Sequence, residues 1–289
     1  MFGEMLRNNN AVFRKVTIVG VGFMGGSLGL ALKKHGLASE IVGVSHRQVT
    51  LDQALQLKAI DEGLTDLPKA VANADLVVLA APVQAILQQF ALINPHLKRG
   101  CLVTDMGSVK SEIVERAESV LAQPGMFVGS HPLAGSEKKG VEFAYADLFA
   151  NARCIMTPTA KTTPVAKEKI KFMWTKLGCQ VEVLAPEDHD KILAHVSHLP
   201  HLLAYALVGS IAKEYLAHAP QGLKDSTRIA ASSPQVWNDI FLTNPKNVIN
   251  ALDALVKDLA LLRKAIIQRD QKVLLPYLER AKEKRDSIG

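Results

Sequence analysis

Two short stretches of the chain carry side chains suited to proton transfer. "TDMGSVKSEI" (104–113) presents a hydroxyl at Ser108, and "FVGSHPLAGSEKKG" (127–140) presents an imidazole at His131. Each follows an apolar, strand-like run. Taken singly, Ser108 reads as the N-cap of the helix "SVKSEIVERAESVL", and His131 as a turn residue before Pro132. Together, at the ends of neighbouring strands, they form a hydroxyl–imidazole pair able to deprotonate an alcohol or polarise a carbonyl.

The elements that would position this pair are legible in the first half of the chain. "KVTIVG" (15–20), "EIVGVS" (40–45), "ADLVVLAAP" (74–82), "GCLVTDMG" (100–107) and "MFVGSHP" (126–132) alternate with helix-like segments. Consecutive apolar, β-branched residues fit strands buried on both faces, and the alternation predicts a doubly wound α/β sheet. "RCIMTP" (153–158) and "QVEVLAP" (180–186) add two strands around a helix opened by Thr163-Pro164. After Pro186 strand signals give way to helix starts, with Ser233-Pro234 and Asn244-Pro245 both reading as a cap followed by proline. The expected organisation is a dinucleotide-binding domain over 1–186 and an all-α domain over 187–289. Val248, Leu252, Leu255, Leu259, Leu262 and Ile266 recur at spacings of four and three. That seam reads either as the helical domain's own core or as a dimer interface.

A nucleotide site precedes the chemistry. "VTIVGVGFMGGSLGLAL" places Gly20, Gly22 and Gly25 between a strand and an apolar helix, the context a dinucleotide fingerprint requires. Gly20 suits the tight turn, Gly22 close approach of the pyrophosphate and Gly25 helix–strand packing. Phe23, Met24 and the strand-closing Pro82 complete the expected cofactor-binding set. At the end of the second strand an acid would bind the ribose hydroxyls of NAD. The chain has Ser45, His46 and Arg47 there, with Thr50 following. Hydroxyl, imidazole and guanidinium suit a 2′-phosphate, so NADP is favoured over NAD.

Composition narrows the partners. The 289 residues are 48% hydrophobic, 21% charged and only 5% aromatic. So few rings argue against stacking platforms for single-stranded nucleic acid. The net charge of +6 is dispersed, which suits small anionic ligands better than a nucleic-acid footprint. Cys101, Cys154 and Cys179 lack the spacing of a zinc knot or disulfide framework. No signal peptide or membrane span is read in the sequence, and a cytoplasmic location is expected.

Four segments, "DMGSVK", "HPLAGSEKKG", "SHLPHLLAYAL" and "LKDSTRIAASSP", occur in order behind the fingerprint. With them the chain resembles the prephenate/arogenate (cyclohexadienyl) dehydrogenases of tyrosine biosynthesis, from residue 15 to about 270. The resemblance implies oxidative decarboxylation of prephenate or arogenate, with a nicotinamide dinucleotide accepting hydride. It implies His131 as the catalytic histidine that takes the ring-hydroxyl proton, with Ser108 aligning hydroxyl or imidazole. It implies Arg228 as the ligand of a substrate carboxylate and His201 as a contact for the substrate's side-chain end. His198 would stand behind His201, Glu137 would gate the site, and Trp237 would flank the pocket. The mutase-like segment and the sensor domain of larger members are not expected.

Three alternatives are open at this level. His195 and His198, at i and i+3 and near Asp188, His189 and Asp190, could share a helix face and hold zinc. The set lacks a zincin glutamate and Pro200 interrupts it, so no metal is expected. A β-hydroxyacid dehydrogenase would also join a Rossmann domain to helices, but with a catalytic Lys where this chain has "SHLPH". A non-catalytic redox sensor would bind the dinucleotide yet need no base.

Overall fold

The structure, a computed structural model, describes residues 11–134, 138 and 140–288. The chain opens with β1 (Phe13–Val19), α1 (Phe23–Lys34), β2 (Ala38–Val44), α2 (Gln48–Gln56), β3 (Glu62–Leu64), α3 (Leu67–Val71), β4 (Leu76–Leu79) and α4 (Val83–Ile93). It continues with β5 (Leu102–Asp105), α5 (Ser111–Val120), β6 (Phe127–Leu133), β7 (Arg153–Thr157), α6 (Pro164–Lys176) and β8 (Gln180–Val183). Among the described residues these eight strands form one sheet in the order 3-2-1-4-5-6-7-8. Strand order reverses between β1 and β4, the switch point beyond which ligands bind in such sheets. The seven strand segments read in the sequence are all present. β3 was not foreseen: it is three residues long, with only part-buried or exposed side chains and a central glycine.

β6 is the strand that makes the site. Its first half pairs parallel with β5, through Val103↔Phe127 and Thr104↔Val128. Its second half outruns β5 and pairs antiparallel with β7, from Gly129↔Thr157 to Leu133↔Arg153. His131 thereby stands beyond the carboxyl end of β5.

Among the described residues from Pro186 onward every regular element is helical: α7 (Pro186–Leu193), a π-helical turn (Ala194–His198), α8 (Leu199–Gly209), α9 (Gln221–Thr227), α10 (Pro234–Thr243), α11 (Pro245–Gln268) and α12 (Gln271–Asp286). Trp237 and Ile240 of α10 join the apolar core that Val83, Ile86 and Phe90 of α4 form beneath the sheet. The helical half is thus docked on the nucleotide half by shared burial. α7 through α8, Pro186–Gly209, is long and apolar enough by length and composition to cross a membrane, which the sequence reading had not allowed for.

The helices expected after Thr163, Ser233 and Asn244 begin where their prolines place them, but not all those residues cap them. Thr163 accepts from the Ala166 amide, as a cap should. Ser233 and Asn244 make no side-chain cap bond. Ser108 is not a cap either, because α5 begins three residues later at Ser111. The seam of α11 is divided: Val248 is buried, Leu252 and Leu255 are part-buried, and Leu259 and Ile266 are exposed. In its outer half Leu262 is part-buried and Ala265 buried, so only Leu259 and Ile266 of the seam stand clear of the domain's own packing.

Candidate active site

The glycine fingerprint folds as its spacing requires. Gly20 has φ +102°, and a Cβ there would lie 2.6 Å from the Ala80 carbonyl oxygen. A Cβ on Gly25 would lie 2.0 Å from the Gly20 oxygen, so α1 can approach β1 only with glycine at that position. At Gly22 a Cβ would meet nothing within 4 Å. Open space therefore faces the N-terminus of α1, whose first turn carries no acidic residue. This backbone fits the diphosphate of a nicotinamide dinucleotide.

A cleft of about 580 Å³ runs from that turn to the helical half. Gly22, Phe23, Met24, Pro82, Ser108, His131, His201, Arg228 and Trp237, all read from the sequence, line it. Lys138 lines it as well. Ser45, His46 and Arg47 lie at the carboxyl end of β2, outside this lining; His46 and Arg47 are exposed, and Ser45 Oγ accepts the Arg47 amide at 3.2 Å. Thr50 is buried in α2, unlike the exposed loop residues before it. Glu137 lies outside the described residues.

His131 is held from behind. Its Nδ1 lies 2.8 Å from Nε2 of His189, and Nδ1 of His189 lies 2.8 Å from Oδ1 of Asp190. The Asp190 carboxylate spans the start of α5, accepting the Lys110 amide at 2.7 Å and the Ser111 amide at 2.9 Å. Burial, then the neighbouring His189 and Lys110, hold the His131 pKa well below that of a free imidazole. His189 is also lowered, burial outweighing its hydrogen bond to Asp190. Burial alone would raise Asp190, but its bonds from His189 and Ser111 outweigh that and leave the carboxyl below its ordinary value.

A second buried group supports the strand end. Lys110 and Asp105 are fully buried and ion-paired. Lys110 Nζ also donates to the Ser130 carbonyl at 2.9 Å, and the Ser130 amide donates to Asp105 Oδ1 at 3.1 Å. Both backbone groups of the residue before His131 are therefore pinned where β5 no longer accompanies β6.

On the opposite wall the imidazole of His201 stacks on Trp237, and its Nδ1 donates to the Ser197 carbonyl at 2.9 Å. Burial and the nearby Arg228 charge lower its pKa. His198 does not join it in the cleft. It is 1% exposed, with Nδ1 3.3 Å from the Asn244 amide, which also donates to the Asp190 carbonyl at 2.8 Å. His195 is exposed while His198 is buried, so the two do not share a face.

Sequence reasoning treated His189 and Asp190 only as possible metal ligands and gave Lys110 no role. The usable signal was an acid adjacent to a histidine at the start of the helical half, where a base from the sheet would need support.

Comparison with known proteins agrees with this architecture. Residues 28–183 match the family described as "Prephenate dehydrogenase, nucleotide-binding domain", and residues 185–280 match "Prephenate dehydrogenase, dimerization domain". The prephenate dehydrogenase of Bacillus subtilis (strain 168) is 34% identical over 283 residues, covering 94% of this chain and 76% of that protein. The cyclohexadienyl dehydrogenase of Zymomonas mobilis is 33% identical, covering 95% and 96%. The crystal structure of prephenate dehydrogenase from A. aeolicus, in complex with hydroxyphenyl propionate and NAD+, gives a TM-score of 0.89. It is 38% identical and covers 96% of this chain and 98% of that one. With both halves matched in order and relatives above 30% identity along nearly the whole length, the chain belongs to the prephenate dehydrogenase family.

Proposed function

We propose that the chain oxidatively decarboxylates prephenate, with arogenate as the second candidate, and that His131 is the base. The observation that carries this reading is that His131 and Arg228 both line a single cleft that begins at the glycine turn. The bound dinucleotide supplies the hydride acceptor. His131 accepts the proton of the ring hydroxyl as the carbinol carbon loses hydride, and Ser108 beside it holds that hydroxyl in line. Loss of CO2 from the quaternary carbon then aromatises the ring and leaves a phenoxide, to which His131 returns the proton. Arg228 binds a carboxylate through its planar fork, while His201 on Trp237 contacts the side-chain end. Glu137 is assigned access to the cleft by family resemblance alone.

Among the described residues the cleft lining contains Arg228 and Lys138 and no carboxylate. Those cations suit the two carboxylates that prephenate and arogenate both carry. NADP is the preferred dinucleotide in this reading, on the strength of Ser45, His46 and Arg47; the A. aeolicus relative was crystallised with NAD+. The helical half is proposed to pair with a second copy, because Leu259 and Ile266 remain 52% and 63% exposed. A solution mass near twice 31.3 kDa would support pairing.

The test is spectrophotometric: protein, dinucleotide and prephenate or arogenate, followed at the reduced-nicotinamide band. His131→Asn is expected to lower kcat by about 10²–10⁴, the usual contribution of a general base, with dinucleotide affinity unchanged. Wild-type turnover in that variant overturns the assignment of the base.

A further inference from the structure

The contacts behind His131 cross from one half of the molecule to the other and back. His131 belongs to β6, and His189 and Asp190 to α7 of the helical half. The carboxylate of Asp190 returns to the amides that open α5. Those two amides can only donate, so both carboxylate oxygens are fixed as acceptors, and the positive end of a ten-residue helix favours the ionised form. An ionised carboxylate has no proton to offer His189. At 2.8 Å, Nδ1 of His189 must therefore be the donor.

The remaining tautomers follow by elimination. A neutral imidazole with its proton on Nδ1 has a bare Nε2. The bare Nε2 of His189 faces Nδ1 of His131 at 2.8 Å, so His131 donates from Nδ1 and its own Nε2 is bare. His131 lines the cleft, and with Nδ1 occupied by His189 the nitrogen left for substrate is the one able to accept a proton. The opposite tautomer would offer substrate an N–H and could not act as base.

We propose that Asp190, seated on the N-terminal amides of α5, is a positioning residue that sets the tautomers of His189 and His131 so that His131 Nε2 is presented bare to the substrate. This inference rests on the dehydrogenase reading with His131 as base. It also makes the docking of α7 a condition for a competent base, since the orienting acid and the base lie in different halves of the fold.

An amide at position 190 cannot reproduce this arrangement. Its oxygen can serve His189 and the Lys110 amide, but its NH2 then faces the Ser111 amide, donor against donor. In the flipped orientation the NH2 faces Nδ1 of His189 and selects the wrong tautomer. Asp190→Asn is therefore expected to lower kcat by 10-fold or more, toward the loss of about 10⁴ that a wrong imidazole tautomer causes in triads of this kind. KM for prephenate and the Kd for the dinucleotide should stay within about threefold.

The decisive measurement needs no turnover. Imidazole 15N–1H correlation spectra of the wild-type protein near pH 7.5, assigned with His131→Asn, report which ring nitrogen carries each proton. Nδ1–H on both His131 and His189 is the expected result. A proton on Nε2 of His131 overturns the proposal even in an active enzyme. The expected tautomers in a protein that oxidises neither prephenate nor arogenate would instead overturn the functional reading. In Asp190→Asn, an unaltered kcat or an unaltered His131 tautomer would likewise overturn the role given to Asp190.

Discussion

His201 lies flat on Trp237, with ring centroids 3.5 Å apart and planes 19° from parallel. Trp237 in turn is 9% exposed and belongs to the core that α10 shares with α4. The indole of Trp237 therefore ties the cleft-lining imidazole to the core of the nucleotide half. An aromatic pair of this kind contributes about 0.5–1.5 kcal/mol beyond its burial. Trp237→Leu is expected to raise KM for substrate about 2- to 12-fold on that account, with the Kd for dinucleotide unaltered. Trp237→Phe, which keeps a ring under His201, should recover most of the loss in steady-state assays. Equal KM values in all three proteins would remove the stack from substrate binding.

The Lys110–Asp105 pair leads to a stability prediction of definite sign. Both side chains are fully buried, so removing one charge strands the other away from water. Lys110→Met should destabilise the fold by about 3–5 kcal/mol, as a broken buried pair does. Adding Asp105→Asn removes the stranded charge while an amide oxygen can still accept from Gly107 or Ser130, so the double variant should be more stable than Lys110→Met alone. Urea unfolding of the three proteins checks the order.

The histidines behind the cleft predict acid sensitivity. In the folded protein burial lowers His131 and His189 and brings His198 down to about 4, from a free value of 6.5. Unfolded, each titrates near 6.5, so below that pH the unfolded chain binds more protons and stability falls. The contribution is complete above pH 6.5 and, for His198, is lost progressively between 6.5 and about 4. That window corresponds to a loss on the order of 3 kcal/mol from His198 alone. Unfolding midpoints should drop steeply from pH 7 to 4.5, and His198→Gln should flatten the slope by close to one proton. A midpoint independent of pH across that range contradicts buried, neutral histidines.

What was legible in the sequence divides along physical lines. β1, β2 and β4 through β7 announce themselves because strands buried on both faces need consecutive apolar residues, whereas β8, an edge strand without a buried residue, shows only through its alternating Val181 and Val183. β3 has no such need and gave no signal. Ser108, His131, His201, Arg228 and Trp237 were found through local motifs, and the fold gathers them around one cleft. His189 and Asp190 were not, because their partners lie 58 and 80 residues away in the other half of the chain. The start of α5 was misplaced for the same reason. The amides of Lys110 and Ser111 are satisfied by Asp190 from across the domain junction, so the local hydroxyl of Ser108 is not needed as a cap. Asn244 was read as a cap, yet its amide serves Asp190 and His198.

Cofactor choice turns on the loop after β2. Ser45 is part-buried, and its hydroxyl is already turned toward the loop backbone, accepting the Arg47 amide; His46 and Arg47 are exposed. No acid occurs from Ser45 until Asp52, whose carboxylate accepts from Gln48 at 2.9 Å within α2. In the proposed reading a 2′-phosphate, with nearly two charges, would meet the hydroxyl and guanidinium donors of this loop. Ser45→Asp should shift preference toward NAD for two reasons. The new carboxylate accepts from the ribose hydroxyls, and it repels the phosphate. Arg47→Ala should weaken NADP while leaving NAD nearly unchanged, since only NADP offers the guanidinium a phosphate. Thr50, buried in α2, should matter to neither. Dissociation constants for both dinucleotides, measured first on the wild-type protein, decide the matter: tighter binding of NAD than of NADP there overturns the preference before any variant is made.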